Sequence, residues 1–309
     1  MIRGAVIAIV AVAVAVAVAR PGYAQPASEA INHRVRQGDT LELLAAEYYG
    51  DRNDAVFIVT DNKLAKPFKI YPGERVRIPA THVIVTEAND SFDTLAGTYL
   101  GDARRGSFLA DFNGLSWDDN DIIAGGTELE IPFHVTHTTT APESLAAIST
   151  TFFGDAKQAD MLRAYNFLDK TELDKGESII VPALRVHIRA ARLPPIDGEA
   201  KARRERQRTA ATAATRALPK ARTAWLRGDF AAVRATLSAI EPDLEYLDVP
   251  TAVEVGLLAA RADLAFDDSE HAVALLKRVY ERRRHLTLSS YRESPKVIAA
   301  WKQVGGQVE

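Results

Sequence analysis

Gln37-Gly38-Asp39-Thr40-Leu41, followed by Tyr48-Tyr49-Gly50-Asp51, Asn62 and Ile70-Tyr71-Pro72-Gly73-Glu74-Arg75-Val76-Arg77-Ile78-Pro79, is the stretch that decides the fold of the front half. The Thr40 hydroxyl is suited to cap a helix, because it can accept from an N–H of the first turn that has no partner inside the helix. Leu41, Leu44, Ala45 and Tyr48 follow at helical spacing and give that helix one apolar face. Gly50 ends it by tolerating a left-handed backbone. Val56, Phe57 and Val59 mark a second helix, and Asn62 suits its C-terminal end. Pro72-Gly73 signals a turn, and Arg75-Val76-Arg77-Ile78 alternates as a strand does. With Val35-Arg36-Gln37 in front, the order is strand, helix, helix, strand.

The same skeleton recurs twice further on. Gly50-Asp51, Gly101-Asp102 and Gly154-Asp155 lie at intervals of 51 and 53 residues. Ten residues before each glycine stands a hydroxyl residue followed by an apolar one: Thr40-Leu41, Ser91-Phe92 and Ser144-Leu145. Twelve residues after each stands an asparagine: Asn62, Asn113 and Asn166. Each unit closes on an apolar residue and proline: Ile78-Pro79, Ile131-Pro132 and Val181-Pro182. A period near 50 also occurs in propellers, but those have four strands per repeat, and Thr40 to Asn62 has helical periodicity.

These residues resemble a LysM (lysin motif) module, strongly over residues 33 to 80 and more loosely over 82 to 133 and 134 to 183. The looser units depart from the pattern in the first loop, at Asn89-Asp90-Ser91-Phe92 and Pro142-Glu143-Ser144-Leu145. The resemblance implies binding of N-acetylglucosamine units in peptidoglycan or chitin, in a groove between the first loop and the loop before the last strand. Carried onto this sequence, the groove falls on Gly38, Asp39, Thr40 and Leu41 on one side and Leu64, Ile70, Tyr71 and Pro72 on the other. Ser91 and Phe92 would serve the second unit, and Ser144 and Leu145 the third. Loop amides would bond the acetamido group while Leu or Ile covers the apolar face of the ring. Three tethered weak sites gain avidity on a repeating polymer.

Charge divides the chain. His33 to Leu184 holds 14 Lys and Arg against 24 Asp and Glu, a balance of −10, and Arg185 to Glu309 holds 22 against 16, or +6. The second unit is the acidic extreme, with 2 basic residues against 10 acidic ones, including Asp118-Asp119-Asn120-Asp121. Peptidoglycan carries carboxylates, so this face is expected to be solvated or to meet a basic protein. Arg3 and the Ala/Val/Ile run from Gly4 to Ala19 read as a targeting segment with small residues at Gly22-Tyr23-Ala24. The chain is therefore expected to be exported to the periplasm or cell envelope, with membrane contact only if that segment stays uncleaved.

The back half is helical in pattern. Glu199 to Ala217 is rich in Ala, Arg and Glu, and Pro219 is expected to kink or end it. Phe230, Val233, Leu237 and Ile240 form an apolar stripe, Pro250 opens a helix, Leu275, Leu276, Val279 and Tyr280 line another, and Ser294-Pro295 starts the last. Turns at Gly228-Asp229-Phe230 and Asp268-Ser269-Glu270 loosely resemble tetratricopeptide repeats, which implies a protein partner. The basic runs Arg203 to Arg208 and Arg282 to Arg284 are read as solvated faces, and nucleic acid is not expected for an exported protein.

Catalytic signals are sparse. The absence of cysteine excludes disulfides, thiolate metal sites and a cysteine nucleophile, and no Gly-x-Ser-x-Gly elbow is present. His33, His82 and His134 open the three units, so position in the fold accounts for them, and neither metal nor cofactor is expected. The expected architecture is α+β: a signal peptide (1–24), three tandem βααβ LysM modules (31–81, 82–133, 134–184), a linker (185–198) and an all-α, tetratricopeptide-like domain (199–309). The expected function is non-catalytic peptidoglycan binding, with a scaffold protein of degenerate LysM folds as the alternative.

Overall fold

The computed structural model describes residues 30–118, 121–193 and 196–309. The expected signal segment lies outside the described residues. The first stretch is β1 (Ala30–Arg34), α1 (Leu41–Tyr48), α2 (Ala55–Asp61) and β2 (Arg75–Pro79). The second is β3 (His82–Val85), α3 (Phe92–Tyr99), α4 (Gly106–Phe112) and β4 (Glu128–Ile131). The third adds a short inner ladder: β5 (His134–Thr138), β6 (Glu143–Ser144), α5 (Leu145–Phe153), α6 (Ala159–Tyr165), β7 (Glu172–Leu173) and β8 (Ser178–Pro182). In each stretch the outer strands pair antiparallel, with registers Arg34↔Arg75, Val85↔Glu128 and Thr138↔Ser178.

The recurring asparagine has one job throughout. Asn62 donates to the Ile58 and Arg77 carbonyls and accepts from Arg77 N–H. Asn113 does the same with Leu109 and Glu130, and Asn166 with Leu162 and Ile180. A side-chain amide offers both donor and acceptor, so it stitches the end of a helix to the closing strand at a place where neither backbone has a ladder partner.

The three stretches pack on one another. Phe57 of α2 meets Phe133 and Phe152 edge-on at 5.4 and 5.5 Å. The Arg105 guanidinium sits 4.2 Å over the Tyr165 ring and donates to the Tyr165 carbonyl. Residues 185–198, expected as a linker, are partly core: Val186 is buried with the third stretch and Ile188 with the first. Their alternation, together with Arg189 N–H bonded to the Tyr48 carbonyl, straps the front half together.

The back half is α7 (Gly198–Leu226), α8 (Phe230–Leu237), α9 (Val249–Ala265), α10 (Ser269–Arg282), β9 (Thr287–Leu288), α11 (Pro295–Gln303) and β10 (Gln307–Val308). Of the two outcomes expected at Pro219, a kink or an end, the second does not occur: α7 runs through it to Leu226. Leu218 and Ala221, close on either side of it, are buried in the helical core, which offsets the one bond proline removes. The α7–α8 turn closes on Gly228 with Asp229 accepting from Ala232 N–H. The α9–α10 turn closes on Asp267 with Asp268 accepting from His271 N–H.

Candidate functional site

In the first stretch two loops face each other, residues 36–40 and 64–73. They are joined only at their base, where Val35 N–H donates to the Glu74 carbonyl and Gly73 N–H to that of Val35. The first loop is braced from inside. The Asp39 carboxylate accepts from Arg36 N–H at 2.7 Å and from the His33 ring at 2.9 Å, and the other His33 nitrogen meets the Tyr48 hydroxyl at 3.0 Å. The Arg36 amide and then His33 hold the Asp39 carboxyl below its usual range. Asp39 is thus committed to loop shape. Thr40 caps α1 as expected, accepting from Leu43 N–H. Leu41 is buried at 4% exposure in the core of this unit, and Leu64 and Ile70, half-buried, pack against that core beneath the loops. Gly38, with φ of +94°, Tyr71, 58% exposed, and Pro72 stand at the rim. Phe68 and Leu43, both substantially exposed, add apolar surface that sequence reading missed, since neither falls in a repeated position. Among the described residues no hydrogen bond joins residues 37–41 to residues 64–72.

The other two stretches bring the corresponding residues together but close the gap. Ser91 forms a capping box with Thr94, and Phe92 is buried. Ile123 N–H then donates to the Asp90 carbonyl at 2.7 Å, and the turn beyond it is covered. Gly125 N–H donates to the Glu245 carbonyl, and a Cβ on Gly126 would lie 2.3 Å from the Arg203 carbonyl oxygen. Ser144 caps α5, and Leu145 is 1% exposed. There the loops are zipped by the β6–β7 ladder and by Leu145 N–H to the Thr171 carbonyl. Ser91 and Ser144 are thus helix caps, and Phe92 and Leu145 core, beneath loops that bond each other.

Several residues of the charge runs find partners within the chain, which corrects the expectation of solvated faces for those residues. Arg204 pairs with Glu128 at 2.5 Å, Arg203 donates to the Val85 carbonyl, and Arg206 pairs with Asp243. Arg283 lies 3.8 Å from both Asp118 and Asp121. Arg282, 4% exposed, donates to the carbonyls of Ile123, Glu245 and Leu247, and burial pulls its guanidinium down to about 10. The acidic second stretch thus meets the basic half of its own chain.

The histidines differ from expectation too. His33 pairs across the sheet with Val76, and the residue in that register in the third stretch is His137, opposite Ile179; in the second it is Ile84. His137 repeats the brace, 2.8 Å from Glu143. Asp263, Asp268 and His271 approach as metal ligands would, but Arg234 already neutralises both carboxylates at 2.8 and 2.9 Å.

The matching family model covers the stretch with the open loops. Residues 33–79 are a LysM domain. LysM domains bind N-acetylglucosamine-containing glycans such as peptidoglycan, and they act in the cell envelope or extracellular space. No helix among the described residues is long and apolar enough to cross a membrane. Over 150 residues, 48% of this chain and 32% of each relative, the chain is 29% identical to Esterase MT1326 and Esterase Rv1288, from two strains of Mycobacterium tuberculosis. It is 38% identical over 58 residues, 18% of this chain and 39% of the relative, to Potassium binding protein Kbp of Escherichia coli. The chain spans only about a third of the curated relatives it matches. No solved structure matches. The likeness to two proteins named esterase overturns the expectation that the chain is not an enzyme.

Proposed function

We propose that this chain is an exported cell-envelope protein that holds peptidoglycan in the LysM groove of residues 33–79. The observation that supports this most is the open groove. Among the described residues its loops have no hydrogen bond to each other across the gap, and half-buried Leu64 and Ile70 offer apolar surface beside it. Amides there can bond an acetamido group while that surface covers the sugar ring.

The units at 82–133 and 134–184 are read as LysM folds, on the repeated asparagine stitch and hydroxyl cap, that have exchanged glycan binding for packing. The region 199–309 is read as a tetratricopeptide-like surface for a protein partner, on its two Asp-capped turns. Residues 1–24 are read as the signal peptide.

Co-sedimentation with purified sacculi tests the groove. Thr40→Val with Tyr71→Ser is expected to weaken binding about tenfold, the scale of one or two lost hydrogen bonds and an apolar contact. Ser91→Ala and Ser144→Ala are expected to leave it unchanged. Loss of binding in the latter pair alone would put the site elsewhere.

A second reading follows from the names of the mycobacterial relatives: the chain shares in ester hydrolysis. Turnover of a chromogenic acyl ester by the purified chain would support it. Turnover no faster than buffer would leave hydrolysis with the parts of those relatives that this chain does not match.

A further inference from the structure

The outer face of the β1–β2 pair carries cations where the other units do not. Arg34 and Arg75 are direct cross-strand partners, and both side chains are exposed. Arg36, also exposed, extends the same row by one alternation. Like charges directly opposite one another on a strand pair are destabilising, so this arrangement costs the fold something. Arg77, next along the face, pairs with Asp61 at 3.2 Å, but among the described residues no carboxylate pairs with Arg34, Arg36 or Arg75.

The same face is a docking surface elsewhere in this molecule. The register positions of Arg34 and Arg75 are filled in the second unit by Val85 and Glu128, and there Arg203 and Arg204 of α7 sit on them. In the third unit they are Thr138 and Ser178, whose hydroxyls bond each other. One surface position therefore has three chemistries: acidic and paired with a basic helix, neutral and self-satisfied, and basic with no carboxylate partner among the described residues. An open depression of about 590 Å³ lies along β1 beside the basic version, with Arg34, Arg36, Tyr48 and Gly73 among its lining residues. Arg36 leads straight into the first groove loop, and Gly73 ends the second.

We infer that this arginine face is a carboxylate-binding subsite beside the sugar groove, which makes the first unit select a carboxylate-bearing N-acetylglucosamine polymer, peptidoglycan, over neutral chitin. The inference rests on the glycan-binding reading of that groove. A glycan strand lying in the groove carries its carboxyl substituents out sideways, and guanidinium groups are suited to receive carboxylates.

The test uses the full chain and its double variant Arg34→Gln, Arg75→Gln, whose exposed sites should not disturb folding. The probes are sacculi, sacculi with carboxyl groups blocked as amides, and neutral chitin. The wild type is expected to bind untreated sacculi about fivefold more tightly than amidated ones at low salt, the scale of two exposed ion contacts. That preference should vanish near 1 M salt, where screening acts within about 3 Å. The variant should lose the preference and keep its binding to chitin. Equal binding of wild type to both kinds of sacculi would overturn the subsite and leave the groove reading intact. Binding to neither sacculi nor chitin would overturn both. A variant that also loses chitin would show that the arginines serve the groove's shape, overturning the subsite. Equally tight salt-sensitive binding to anionic-lipid vesicles would make the face a membrane contact and overturn the glycan assignment.

Discussion

Replacing Gly126 by alanine probes how firmly the helical half grips the second unit. Three glycines occupy the same turn: Gly73, Gly126 and Gly176, with φ of +94°, +85° and +89°. Alanine in that left-handed region costs roughly 1–2 kcal/mol at each, from contact between Cβ and the neighbouring carbonyl. For Gly73 and Gly176 nothing else lies within 4 Å of a new Cβ, so that is the whole cost. At Gly126 the Cβ would stand 2.3 Å from the Arg203 carbonyl oxygen and 2.6 Å from the Gln207 Cβ. The first is backbone inside α7 and cannot swing aside, so helix and turn must part. Overpacking of this kind costs about 1–3 kcal/mol more. Urea denaturation should therefore place Gly126→Ala at about 2–5 kcal/mol below wild type, and the other two at about 1–2. Limited proteolysis should cut the Gly126 variant between residues 185 and 198 faster than either control. If all three substitutions cost the same within about 0.5 kcal/mol, beyond which single-site effects are resolved, α7 does not rest on the Gly126 turn.

Asn113→Ala removes three hydrogen bonds that tie α4 to β4. It should cost about 3 kcal/mol in urea denaturation, at about 1 kcal/mol each, and a cost below about 1 would mean water replaces the stitch. The pH dependence of stability should carry the mark of His134, whose buried ring is held down to about 4 by burial first and by Arg105 second. Its folded affinity for protons is lower than its unfolded one, so the unfolded chain takes up the proton first. Stability is fully present above pH 6.5 and is lost as pH falls toward 4, by about 3 kcal/mol at 1.36 per unit. His134→Gln should flatten that window, and an unchanged slope would assign the loss to another group.

Much of the fold was legible because the signals are local. A hydroxyl before an apolar helix face, a glycine after it and an asparagine at the next helix end each answer a backbone need within a few residues. What stayed hidden involves pairing over distance. The bonds that close the second and third grooves run from backbone to backbone, Ile123 to Asp90 and Leu145 to Thr171, and leave no mark in side-chain identity. The match of His33 with His137, and not with His134, was by contrast legible: each stands 17 residues before the glycine of its unit, Gly50 and Gly154, and the strand register agrees. The basic run at 282–284 reads as solvated, and the acidic run at 118–121 as solvated or bound to a basic protein, because the sequence does not say that the two meet. The unmated arginines of β1 and β2 were visible as letters, but their shared face follows only from the pairing.

The strap at residues 185–188 bears on the order in which the molecule can be finished. A ribosome releases this chain amino end first, so the first and third units emerge before Val186 and Ile188, the residues that plug their cores. The second unit waits longer still, for the Arg282 side chain that gathers its Ile123 carbonyl with two from the helical half. Until those residues are made, the front half lacks the side chains that fill its seams. The contacts of Arg282 can form only after the 281 residues before it have been made.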